Sequence, residues 1–152
     1  MHVLIVLASD GRRGAEIEGE RLGRELSNVE IAVDVVALQP ASEHAPRLDV
    51  EVLGRSALAP RTLAHLRRRA AHFDIVLAFG STTLPACALA LVGTGVPFVY
   101  RSIGDPSRWV RGRLHRERTG ALMRRAAHVV ALWDGGAAAI GDLYRVSPNR
   151  LS

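Results

Sequence analysis

The sequence predicts an α/β fold in which a doubly wound, mostly parallel sheet of about six strands carries helices on both faces. Three observations carry that expectation. Short continuous apolar runs rich in Val, Ile and Leu recur along the chain, as strands buried on both faces require. Helical patterns separate most of them, so crossovers rather than hairpins join the strands. At 152 residues the chain suits one compact α/β domain spanning residues 1–152, with no interior linker to divide it.

Residues 3–8, VLIVLA, form the first strand. Ala15, Gly19, Leu22 and Leu26 then share a helical face, with Glu20/Arg24 and Arg21/Glu25 pairs outside. Gly19 and Gly23 would let this helix approach the sheet closely. Residues 31–38 give a second strand ended by Pro40, residues 39–49 a polar loop, and residues 50–53 a short third strand. Pro60 suits a first helical position, and Leu63, Leu66, Ala70 and Phe73 line one face while Arg67, Arg68 and Arg69 point mostly outward. Residues 74–79 make the fourth strand, 83–92 a buried helix and 96–100 the fifth strand.

The run from Arg125 to Ser152 predicts a buried sixth strand, a short helix, a proline turn and the first residues of another strand. The pattern Arg-Arg-Ala-Ala-His occurs at 68–72 and again at 124–128, each time before a buried strand. A cationic last turn complements the helix dipole, so the echo marks recurrent helix-to-strand chemistry rather than duplication.

All 20 cationic side chains are arginine against 15 acids, for a net charge of +5. That balance fits an anionic partner, yet an arginine-only, alanine-rich composition is also what a GC-rich coding sequence produces, so charge alone selects no partner class. Cys87 is the single cysteine and sits in an apolar run, as a packed thiol does; no intrachain disulfide can form. The amino terminus has no basic stretch before its short apolar run, and no segment approaches 18 apolar residues, which predicts a cytoplasmic chain. The six histidines form no metal-binding motif, Gly-x-Ser-x-Gly is absent, and the standard RNA-binding motifs are missing. No metal, cofactor or nucleic-acid partner is expected.

In such sheets ligands gather at the carboxyl ends of the strands, near the switch in strand order. Three loops qualify. The first holds Gly11, Arg12, Arg13 and Gly14, whose backbone could approach an anion at a helix amino terminus; a simple tight turn with two solvated arginines fits equally. It lacks the third glycine of a dinucleotide fingerprint, and Gln39 rather than an acid ends strand two, which disfavours a nicotinamide or flavin role. The second loop, Gly80-Ser81-Thr82-Thr83, could cap the buried helix or touch substrate. The third gathers Arg101, Gly104, Asp105, Arg108 and Trp109 after the fifth strand. Asp105 could orient a hydroxyl, accept a proton or start the turn at Pro106. Arg101 and Arg108 could bind phosphate or pair with acids, and Trp109 could stack on a sugar or pack at an edge. The arginines between residues 110 and 125 suit a solvated helix face or contact with an anionic surface.

The glycine loop, the "FDIVLAFGS" strand, the "VPFVYRSIGDPSRW" segment and the closing "AHVVALWDGGAAAIGDLY…VSPNRLS" together resemble the amino-terminal domain of family 4 glycosyltransferases with the two-domain B fold. The resemblance implies a Rossmann-like acceptor-side domain, in which retaining transfer from a nucleotide-sugar donor requires a C-terminal donor-binding domain, in cis or trans. It implies that the isolated chain is not catalytic. By position, Gly11 to Gly14 would face donor phosphates and acceptor, and Asp105 would lie near the reacting sugar. The acceptor would be a sugar or a lipid-linked acceptor, and separately the arginine-rich segment suggests peripheral membrane contact. Many relatives carry histidines at the end of strand four, where this chain has Leu77, Ala78 and Phe79. The alternative reading is a stand-alone, non-catalytic ligand-binding or interaction module on the same fold.

Overall fold

A computed structural model describes residues 1–105 and 112–152. Six strands form one sheet: β1 (His2–Ser9), β2 (Ala32–Gln39), β3 (Glu51–Val52), β4 (Ile75–Phe79), β5 (Phe98–Arg101) and β6 (His128–Val130), in the order β3-β2-β1-β4-β5-β6. Every pairing is parallel. The helices are α1 (Gly14–Asn28), α2 (Pro60–Ala70), α3 (Thr83–Ala90), α4 (Arg113–Met123) and α5 (Asp134–Tyr144). This is the Rossmann-like α/β arrangement that the alternation of apolar runs predicts.

Handedness assigns the helices to faces. Parallel crossovers are right-handed in nearly all cases, so the direction in which the chain steps along the sheet decides where its helix lies. The step from β1 to β2 runs one way and those from β3 to β4, β5 and β6 run the other. Accordingly α1 packs with Val3, Ile5, Leu7 and Phe79 on one face. Leu66 of α2, Leu84 of α3, Met123 of α4 and Ile140 of α5 join Leu4, Val6, Val76 and Tyr100 on the other. The β2–β3 connection holds no helix, and Leu48 of that loop covers its part of the α1 face instead.

Gly19 explains how closely α1 approaches. A Cβ placed there would lie 2.5 Å from Leu7 Cδ2, so the buried Leu7 side chain would have to shift to admit one. On the opposite face, a Cβ at Gly120 of α4 would lie 2.8 Å from the carbonyl oxygen of Tyr144 in α5. The outward pairs on α1 form as their spacing predicts: Arg21 Nε to Glu25 at 2.8 Å and Arg24 to Glu20 at 3.5 Å.

Several arginines serve the backbone. Arg67 Nη1 donates to the carbonyls of Ala90 and Val92 at 3.1 and 2.6 Å, closing the end of α3. Arg124 Nη1 donates to Tyr144 O at 2.7 Å, and Arg150 donates to the carbonyls of Arg124 and Ala126. Carbonyls at helix ends lack intrahelical partners, so part of the cationic excess is structural and identifies no ligand.

The third strand is shorter than residues 50–53: only Val36 with Glu51 and Ala37 with Val52 pair in register. After α5, a turn of 3-10 helix at Pro148–Arg150 brings Leu151 into a parallel bridge with Val129. The Ser152 amide donates to Val129 O at 3.1 Å.

Candidate functional site

The strand order reverses between β1 and β4, which places a crevice beyond their carboxyl ends. There the structure has a cleft of about 330 Å³, lined by Arg13, Gly14, Glu16, Gly80, Ser81 and Thr82, with apolar walls from Ala8, Phe79 and Ile103. Four of the residues expected from sequence, Arg13, Gly14, Gly80 and Ser81, therefore meet in one place.

The first loop is anchored by Asp10. Its side chain is buried and accepts from the Ala41 amide at 2.5 Å, while Arg47 lies 3.5 Å from its second oxygen. The Leu48 amide donates to Asp10 O at 2.6 Å. These contacts clamp the first loop onto the β2–β3 connection. They also engage its amides: Gly11 N–H donates to Ser9 Oγ, Arg12 N–H to Pro46 O and Arg13 N–H to Gly11 O. Gly11 is buried against Ala41, where a Cβ would meet the alanine methyl at 3.0 Å, and Arg12 is exposed. Through these backbone contacts both residues shape the turn.

The free donors lie one step further on. Among the described residues, none accepts from the amides of Gly14, Ala15 and Glu16 in the first turn of α1, and the first helical bond outside the loop runs from Ile17 to Arg13 O. The Ser81 and Thr82 amides ahead of α3 are likewise unmatched among the described residues. Thr83 Oγ1 donates to Gly80 O at 2.7 Å, so that hydroxyl belongs to the turn, while Ser81 is exposed. Gly80 has φ of +90°, and a Cβ there would also press on Ile103 at 3.2 Å; glycine alone makes this sharp entry into α3 without strain. Two helix amino termini thus point their partial positive charge at one cleft, with the Arg13 guanidinium beside it.

The third loop divides. Arg101 turns toward α1, where it pairs with Glu18 and stacks over the Phe79 ring at 5.8 Å. Ile103 reaches the cleft wall, and Gly104 and Asp105 follow it, half-buried. Arg108 and Trp109 lie outside the described residues.

Sequence reasoning missed Glu16. It is only 6% exposed and lines the cleft, although its spacing marks it as one more acid on a charged helix. The available signal was its place in the first turn directly after the glycine loop. Among the described residues, no group of His, Cys, Asp and Glu side chains could hold a metal ion, and no helix is long and apolar enough to cross a membrane.

No protein-family model matches the sequence, and no curated protein matches it. Solved structures do. Anabaena Alr3699/HepE, in complex with UDP and glucose, superimposes with a TM-score of 0.78 at 18% identity, over 100% of this chain and 43% of that one. The lipopolysaccharide outer core galactosyltransferase WaaB gives 0.62 at 15% identity over 99% and 44% of the two chains. Acinetobacter baumannii MurG gives 0.54 at 20% identity over 89% and 42%. The chain thus spans less than half the length of these similar structures, and the likeness shows a shared Rossmann-like α/β fold.

Proposed function

We propose that the chain is the acceptor-side domain of a retaining, family 4-like glycosyltransferase, transferring a sugar from a nucleotide-sugar donor once a donor-binding domain is supplied in cis or trans. The observation that carries this reading is the cleft at the switch point, where unmatched amides from two helix starts and Arg13 converge. A departing nucleoside diphosphate gains negative charge as the glycosidic bond breaks, and preorganised N–H groups stabilise such charge without reorganising. The apolar wall of Phe79 and Ile103 would shield that charge from water. By its position after Ile103, Asp105 would orient the acceptor hydroxyl.

The test is complementation. Mixed with, or fused to, a donor-binding domain that docks, the chain should transfer sugar; absence of transfer across a donor panel despite docking would reject the reading. In an active pair, Arg13→Ala should lower kcat/KM roughly 10- to 100-fold, the loss expected for one hydrogen bond to a charged group. Steady-state kinetics with the docked pair checks it. A stand-alone binding role is the second reading, favoured by the convergence of unmatched amides from two helix starts within this one domain.

Peripheral membrane contact completes the proposal. Leu114 is 85% exposed at the start of α4, next to exposed Arg113 and His115 and a turn from exposed Arg118. An exposed apolar side chain between the Arg113 and Arg118 guanidiniums suits an anionic lipid surface. The chain should pellet with phosphatidylglycerol vesicles at low salt, and Leu114→Glu should abolish most of that binding. Sedimentation that is unaltered by both the substitution and 0.5 M salt would exclude this surface.

A further inference from the structure

We propose that Glu16 is the residue that receives a sugar hydroxyl in the cleft, making the site select a ligand that carries hydroxyls together with phosphate over a bare anion. The inference rests on the glycosyltransferase reading of the cleft and names the chemistry of its second half.

A contrast within one helix singles out Glu16. Of the four acids on α1, Glu18 pairs with Arg101, Glu20 with Arg24 and Glu25 with Arg21. Glu16 has no hydrogen-bond or ion-pair partner among the described residues, although it is the most buried of the four at 6% exposure. Its carboxylate oxygens are not fully enclosed, so the small part of Glu16 that stays accessible includes its acceptor atoms. That leaves acceptor capacity directed at the cleft that Glu16 lines with Arg13, Ser81 and Thr82.

The charge of that cleft is mixed. The amides of two helix starts and Arg13 favour an anion, whereas Glu16 repels one that comes close. Both demands are met when the anionic part of a ligand lies toward Arg13 and the Ser81 and Thr82 amides while a neutral hydroxyl donates to Glu16. A carboxylate accepts hydroxyl hydrogen bonds strongly, and a sugar phosphate ester supplies both groups. An inorganic anion supplies only one.

Calorimetric titration of the full chain with UDP-glucose and with pyrophosphate tests this. Glu16→Gln, which keeps shape and removes charge, should weaken UDP-glucose about tenfold and tighten pyrophosphate about tenfold, opposite changes that loss of packing would not produce. Glu16→Asp, which retracts the charge, should weaken UDP-glucose while leaving pyrophosphate poorly bound; it serves as the second variant should the glutamine form melt early. Arg13→Ala should weaken both probes. If Arg13→Ala weakens both while neither Glu16 variant alters them, Glu16 has no such role and the anion-binding reading of the cleft stands. If the wild-type chain binds neither probe, the inference falls, whereas the glycosyltransferase reading is decided separately by sugar transfer with a docked donor domain.

Discussion

Replacing Gly19 by leucine is expected to lower the unfolding free energy by about 3 kcal/mol, and in a marginally stable background to prevent folding. The new side chain would start 2.5 Å from Leu7 Cδ2, with Ile5 Cγ2 and Phe79 Cδ1 both at 3.6 Å. Leu7 and Ile5 are fully buried and Phe79 is 2% exposed, so none can swing into solvent. Leucine is the better helix former by close to 1 kcal/mol, but the overpacking is larger and decides the sign. Gly14 provides the internal control. A Cβ there meets nothing within 4 Å, so Gly14→Ala should change stability by no more than about 0.5 kcal/mol, on the stabilising side. Urea denaturation of the two variants separates them. Equal effects would mean that α1 does not rest on the sheet through Gly19.

Stability should fall steeply above pH 9, and Cys87 should account for a separable part of the fall. Cys87 is completely buried in α3, and desolvation pushes its thiol up to about 12. In the unfolded chain the same thiol loses its proton near pH 8.5. Between those values the native state holds one more proton than the unfolded state, so the unfolding free energy declines with rising pH by about 1.4 kcal/mol per unit. Below pH 8 both states keep the proton and the contribution is constant. Burial raises the Tyr100 phenol as well, which adds a further decline at higher pH. Denaturant midpoints measured from pH 7 to 11 should steepen above pH 9, and Cys87→Ala should flatten the first part of that slope. An unchanged slope in the alanine variant would show that the thiol is not sealed.

Much of the architecture is legible in the sequence because its determinants are local. Five of the six strands coincide with apolar runs, and α1 and α2 follow their helical spacing and the Pro60 start. The third strand is trimmed to Glu51–Val52 because a two-residue edge depends on its neighbour rather than on its own pattern. The site is legible in outline, since glycines at strand-to-helix turns mark where backbone can approach a ligand. Its details depend on partners distant in sequence. Arg101 is engaged by Glu18, 83 residues away, and Asp10 by Ala41, 31 away; no spacing rule announces either contact. Glu16 is hidden for the opposite reason. It looks like Glu18 and Glu20 in the sequence, and only burial and the lack of a described partner distinguish it.

The central position of β1 also sets a timetable. Val3 pairs with Val33 on one side and with Ile75 on the other. Made from its amino terminus at 5–20 residues per second, the chain exposes one edge of its most apolar strand for roughly 4–14 seconds before β4 emerges. Such a strand is open to pairing with neighbouring chains during that interval. The yield of folded protein should therefore respond to how fast the codons for residues 10–79 are read, even where the finished fold is unchanged.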